Sequence, residues 1–209
     1  MASPWAVLSG NPAVELVKKA KTWHADLIVV GSQGRSAIGR LILGSVSLEV
    51  ATEARCSVRI SRRKSKEFDR RQLRILIGLD CSAGAEKAVR KVLMRAWPGG
   101  TELRIVAVDD GVSTITTDRL SASSQDVRKD ISVIEGDVVK IAESKGLTIS
   151  AGIKEGDPEQ ILLAEAREWE ADCIVVGSRG ARKSSWGLFV NSVSAGLAAH
   201  AQCSVEIVR

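Results

Sequence analysis

His24–Gly34 reads HADLIVVGSQG, and 146 residues later Glu170–Gly180 reads EADCIVVGSRG. Eight of these eleven positions are identical. The match extends outward on both sides. Gly10-Asn11-Pro12 returns as Gly156-Asp157-Pro158, and Trp23 returns as Trp169. Ser45-Val46-Ser47 returns as Ser192-Val193-Ser194, and Cys56-Ser57-Val58-Arg59 as Cys203-Ser204-Val205-Glu206. A repeat of this length marks two copies of one supersecondary unit. The copies are unequal: the second holds about eighty residues, between Gln72 and Gly156, that the first lacks. The division predicts a partial module at 1–60, truncated at its N-terminus, a basic linker at 61–71, and a complete module at 72–209.

Each apolar run inside the repeat is too short for a buried helix and has the length of a buried strand. In the complete module, Ile75-Leu76-Ile77 with Leu79 reads as a first strand, ended by Asp80. Ser82 caps a helix with Ala85, Ala88, Val89, Val92 and Leu93 on one face, and Pro98-Gly99-Gly100 stops it. Leu103–Val108 is a second strand, and 109–123 a loop rich in Ser and Thr. Val127, Ile131, Ile134, Val138 and Ile141 follow at helical spacing, ended by Gly146. Leu147–Ile153 is a third strand, and Asp157 and Pro158 open a helix that runs to Trp169. Cys173–Val176 is a fourth strand, Asn191–His200 a helix, and Ser204–Val208 a fifth strand.

That alternation demands an α/β fold, a doubly wound five-stranded parallel sheet with helices on both faces. In the partial copy the same reading gives helices at Pro12–Thr22 and Ser45–Glu53, and strands at Leu27–Val30 and Ser57–Ile60. Trp5–Leu8 is the expected remnant of its third strand.

Composition narrows the function classes. Of 209 residues, 44% are hydrophobic but only 3% aromatic, so the cores are aliphatic. The net charge of +5 is concentrated between Arg59 and Arg74, which reads as a solvated linker. One aromatic side chain, Phe68, lies in that basic run, and no helix-turn-helix or single-strand-binding pattern accompanies it, which disfavours nucleic acid. The four cysteines form no C-x-x-C pair and only two histidines are present, so no zinc spacing exists. They read as buried thiols of a reducing compartment. No apolar run is long enough to span a membrane and no signal-peptide pattern opens the chain, so the expected location is cytoplasmic.

In a doubly wound sheet, ligands bind beyond the carboxyl ends of the strands where strand order reverses. Asp80 and Gly177-x2-Gly180 lie at such ends in the complete module. Glycine lets backbone approach a phosphate, and the following helix offers free N–H groups to an anion. The first copy reads Gly31-x2-Gly34-x9-Gly44-Ser45. With ADLIVVGS before it and Cys56-Ser57-Val58 after it, this closely resembles the universal stress protein family.

The resemblance implies a five-stranded α/β fold of the adenine nucleotide alpha-hydrolase type, and ATP binding through G-x2-G-x9-G-[S/T]. It implies that Asp80 holds the adenine or ribose side and that the main chain at Val108 contacts adenine. It assigns the phosphates to the glycine loop and the next Ser. It further implies dimerisation through the last strands, made within one chain by Ser57–Ile60 beside Ser204–Val208. Both copies depart from the pattern. The first keeps the phosphate motif Gly31, Gly34, Gly44, Ser45 but has no strand carrying the Asp or the Val. The second has Asp80 and Val108 but reads Gly177-x2-Gly180-x10-Asn191-Ser192, one residue longer with Asn for the last Gly. Arg179, Arg182, Lys183 and Trp186 also lie in that loop.

Two readings stay open. One is a stress-response module that binds ATP, with or without Mg, and acts as a regulatory homodimer or higher oligomer. The other is the same fold with an empty site, acting through protein–protein contact. No nucleophile–base pair and no second carboxylate for a metal stand out, so no catalytic residue is expected.

Overall fold

The computed structural model describes residues 5–32, 43–62, 72–79, 83–109, 139–178 and 193–209. Its seven strands are β1 (Leu27–Gly31), β2 (Ser57–Ser61), β3 (Arg74–Leu79), β4 (Glu102–Asp109), β5 (Thr148–Glu155), β6 (Cys173–Gly177) and β7 (Ser204–Val208). The described helices are α1 (Pro12–Thr22), α2 (Ser45–Glu53), α3 (Ala83–Met94), α4 (Pro158–Glu168) and α5 (Val193–His200), with a further helical segment at 139–144. All seven strands share one sheet in the order β1-β2-β7-β6-β3-β4-β5. Every neighbouring pair is parallel except β2–β7, where the two copies meet antiparallel.

The sheet packs on both faces because its inner strands are apolar at successive positions. One core joins Leu76, Val106, Ile174, Val176, Val205 and Ile207 to residues of α1, α2, α4 and α5. The opposite core sets Ile75, Ile77, Leu103, Ile105 and Val175 against α3. Gly78 on β3 allows the close approach of α4. A Cβ there would stand 2.7 Å from Leu162 Cδ1 and 3.0 Å from Val176 Cγ1. Gly78→Ala is therefore expected to cost about 1–3 kcal/mol by overpacking, read as a lowered urea midpoint with an unchanged slope.

Helix ends repeat between the copies. Asn11 Oδ1 accepts from the Ala13 N–H at 2.9 Å, and Asp157 Oδ1 from the Gln160 N–H at 2.8 Å. At the other ends His24 and Glu170 take left-handed backbone, with φ of 53° and 54°. The Ala25 N–H reaches Ala20 O at 2.9 Å, and the Ala171 N–H reaches Ala166 O at 2.8 Å. This is a Schellman closure made without glycine, which satisfies the last helical carbonyls and aims the chain into the next strand.

Several expectations need correction. Trp5–Leu8 is not a strand. The third strand of the complete copy pairs with β4, and among the described residues the first copy has no counterpart of β4 to supply such a ladder. Helix α3 ends at Met94, before the Pro-Gly-Gly, where the Arg95 N–H turns back to Val92 O at 3.2 Å and Trp97 Nε1 donates to the same carbonyl at 2.7 Å. The basic segment is not solvated at its ends. β2 runs to Ser61, Arg59 is hydrogen-bonded to Glu206, and Arg62 donates to Ala198 O. Arg74 hydrogen-bonds Trp169 O at 3.1 Å and lies over its ring. The stretch 63–71, the helix expected across 127–138 and Ser82 lie outside the described residues. Of the cysteines, Cys173 and Cys203 are buried and Cys56 is half-buried. Burial pushes the Cys173 thiol up to about 12, so it stays protonated and inert at neutral pH.

Candidate functional site

Strand order fixes where a ligand crevice lies. From β3 the chain moves outward to β4 and β5 on one side, then returns to β6 and β7 on the other. The reversal falls between β3 and β6, and in an open parallel sheet that is the place where a ligand enters. The register brings the carboxyl ends together. Leu79 stands opposite Ala107, Gly78 opposite Val176, and Gly177 opposite Val208. Val108 is therefore one residue beyond the partner of Leu79, and Gly177 is the last residue of β6. Asp80 directly follows Leu79 in the chain but lies outside the described residues, as do Gly180, Asn191 and Ser192. Arg179, Arg182, Lys183 and Trp186 lie outside them too. Val108 is half-buried, and its side chain packs on the same core as Val106.

The first copy shows the phosphate-motif geometry more fully. Gly31 ends β1, and Gly44 is the N-cap of α2 with extended backbone, φ −66° and ψ 151°. The Gly44 N–H donates to Ser32 O at 2.9 Å, which holds the start of α2 beside the end of β1. The Ser32 N–H in turn donates to Ser61 O at 3.0 Å, tying the loop to β2. Ser47 Oγ donates to Gly44 O at 2.8 Å, so this hydroxyl braces the helix start. Ser45 opens the helix, and no side chain caps the first turn. The N–H groups of this first turn sit at the positive end of the helix dipole, the arrangement that favours an anion. Gly34 lies outside the described residues. No strand pairs with the outer edge of β1 among the described residues, and Val29 there is 58% exposed.

The same anchoring recurs in the second copy, where the Ser178 N–H donates to Val208 O at 2.8 Å. The structure thus brings Val108 and Gly177 to one end of the sheet, and Gly31, Gly44 and Ser45 to another. The two sets flank separate strands of one sheet, with β2 and β7 between β1 and β6. Among the described residues, no cluster of His, Cys, Asp and Glu is arranged to hold a metal ion. No described helix is long and apolar enough to cross a membrane.

The fold is that of an α/β protein of the nucleotide alpha-hydrolase-like class. The model of the universal stress protein family matches residues 3–62 and 73–209, and the chain belongs to that family. A universal stress protein of Mycobacterium tuberculosis is 27% identical over 187 residues, which is 89% of this chain and 62% of the relative. One from Methanocaldococcus jannaschii is 40% identical over 73 residues, covering 32% of this chain and 43% of the relative. Among solved structures, a universal stress protein from Archaeoglobus fulgidus superposes with a TM-score of 0.69 at 26% identity. That match covers 96% of this chain and 67% of the other. The chain thus spans about three fifths of the length of the mycobacterial relative.

Proposed function

We propose that the second copy binds an adenine nucleotide at the carboxyl ends of β3, β4 and β6, and that the chain works as a regulatory module rather than an enzyme. The observation that carries this reading is the register that sets Val108, the end of β3 and Gly177 side by side at the strand-order reversal. Asp80 follows β3 in sequence, and the Gly177–Ser192 loop leads into α5. A carboxylate on one side suits a ribose or adenine donor group, and a helix start on the other suits phosphate.

Calorimetric titration with ATP, with and without Mg, tests the proposal. Asp80→Ala is expected to weaken binding about tenfold to a hundredfold by removing a charge-assisted hydrogen bond. Heat-free titration of the unmodified chain at millimolar ATP would instead favour the empty-site module. In this reading the first copy takes no part in binding, because no adenine-side strand lies beside β1 among the described residues. Gly34→Leu should accordingly leave ATP affinity unchanged, and a large loss would place the site there. Timed ADP formation, expected to stay at the uncatalysed level, tests the non-enzymatic half. Light scattering at micromolar concentration tests the expected self-association.

A further inference from the structure

The junction between the copies obeys a local two-fold relation. Along the last strands the repeat offset makes Val58, Arg59 and Ile60 the equivalents of Val205, Glu206 and Ile207. The antiparallel register sets Val58 opposite Ile207, Arg59 opposite Glu206, and Ile60 opposite Val205. Exchanging the copies turns the first pair into the third and returns the middle pair to itself. Arg59 and Glu206 therefore sit on the two-fold axis, where a residue faces its own equivalent.

The arginine and serine contacts at the rim of the junction are symmetric in chemistry as well as position, and Lys91 of the second copy adds a bond to Ser57 Oγ at 3.0 Å. Arg62 donates to Ala198 O at the last turn of α5, and its equivalent Arg209 donates to Ala51 O in the last turns of α2. The Arg62 N–H donates to Ser204 Oγ at 3.1 Å, and the Arg209 N–H to Ser57 Oγ at 3.2 Å. Each arginine and serine contact joins residues that both copies possess, so two second copies placed back to back would reproduce them all. Rim chemistry alone does not choose between partners.

The axis is where the symmetry breaks. Glu206 is fully buried. Its Oε2 accepts from Arg59 Nε at 2.9 Å and Nη2 at 2.7 Å, and from Arg95 Nη1 at 2.8 Å. Its Oε1 accepts from Arg95 Nη2. Arg95 follows α3 of the second copy, so among the described residues Arg59 is the one partner of this carboxylate that the first copy contributes. If β7 paired with a second β7, two Glu206 carboxylates would face each other across the strands, about 5 Å apart at their Cα atoms. Each would keep its Arg95 and lose both bonds from Arg59. If β2 paired with a second β2, two guanidinium groups would face each other with no Glu206 between them. Like charges directly opposite in a ladder destabilise the pair, and burial sharpens the penalty.

We propose that Arg59 and Glu206 act as a pairing code: the β7 edge takes a β2 strand carrying a cation at the axis, supplied by its own chain or by an exchanged second chain, and rejects another β7. A symmetric junction is thereby made one-way, and self-association through paired β7 strands is excluded.

The test uses the full chain with Arg59→Glu, Glu206→Arg and the double exchange. Each single reversal is expected to lower the urea midpoint by about 1 M or more. The double exchange keeps two guanidinium groups and one carboxylate and should regain more than half of that shift. Unchanged midpoints in the single variants, or no recovery in the exchange, would overturn the code. If Glu206→Arg fails to fold alone, refolding it together with differently tagged Arg59→Glu decides. Exchanged strands then pair Arg59 of one chain with Glu206 of the other, and the two introduced side chains, of opposite charge, with each other. A one-to-one mixed dimer by light scattering supports the code, and failure to form it in a soluble mixture overturns it.

Discussion

Glu206→Ala is expected to destabilise the chain by about 3–5 kcal/mol, the penalty for breaking a buried ion pair from one side. The side chain of Glu206 is 0% exposed, and those of Arg59 and Arg95 are 28% and 26% exposed. Removing the carboxylate leaves two guanidinium groups converging on an empty polar niche between β2, β7 and the end of α3. Their partial exposure places the expected loss toward the lower end of that range. Glu15→Ala is the control. Glu15 pairs with Lys18 one helical turn away, the Lys18 side chain is 66% exposed, and the expected change is within about 0.5 kcal/mol. Urea unfolding at pH 7 measures both. A Glu206→Ala chain as stable as the Glu15→Ala chain would mean that water replaces the carboxylate without penalty.

The same carboxylate gives stability a sign in pH. Burial by itself would raise the Glu206 pKa, but hydrogen bonds from Arg95 and the charges of Arg59 and Arg95 outweigh it and hold the group below its ordinary value. Glu165 behaves alike: burial raises it, and Lys154 and Arg104 more than reverse the effect. A carboxylate depressed in the folded state contributes stability that is complete above its unfolded pKa, about 4.3, and is lost as pH falls through the folded value. The chain should therefore hold its stability from neutral pH to about pH 5 and lose it below. In the Glu206→Ala chain that acid loss should be shallower.

Much of the fold was legible because the repeat supplied each element twice. Pro12–Thr22, Ser45–Glu53 and Ser204–Val208 were readable to the residue from a Pro at the first turn, a Ser after Gly and an apolar run. What failed depends on neighbours that a single segment does not reveal. Trp5–Leu8 has strand-like apolar residues but no ladder partner. Helix α3 ends before the Pro-Gly-Gly, where the Arg95 N–H and an indole five residues along the chain both meet Val92 O. The ends of the basic run looked solvated because charge in sequence says nothing of the carbonyls and carboxylate that meet Arg59 and Arg62 across the junction. The Arg59-to-Glu206 mismatch was visible in the repeat itself. Its meaning needed the antiparallel register, which alone shows that the mismatched position faces itself. At the candidate site the strand ends were readable from Leu79, Val108 and Gly177, since apolar runs stop there.

The repeat also yields a matched test of how stability is distributed. Ile174 on β6 is fully buried between β3 and β7, within the core that α4 and α5 cover. Ile174→Ala removes three carbons from a close-packed layer that cannot collapse from either side, and the expected loss is about 2–5 kcal/mol. Val29, on the equivalent strand β1, is 58% exposed where its counterpart Val175 is fully buried. Val29→Ala should change stability by no more than about 0.5 kcal/mol. Ile28 lies between these limits: it is the repeat partner of Ile174, is 8% exposed, and pairs only with β2 among the described strands. Ile28→Ala is expected to fall below Ile174→Ala, since an edge strand relaxes toward its open side. Amide exchange should show the same gradient, with β1 opening through local fluctuations and β6 only through global unfolding. Equal losses at Ile28 and Ile174, with equal protection of β1 and β6, would show that the outer edge of β1 is covered in solution.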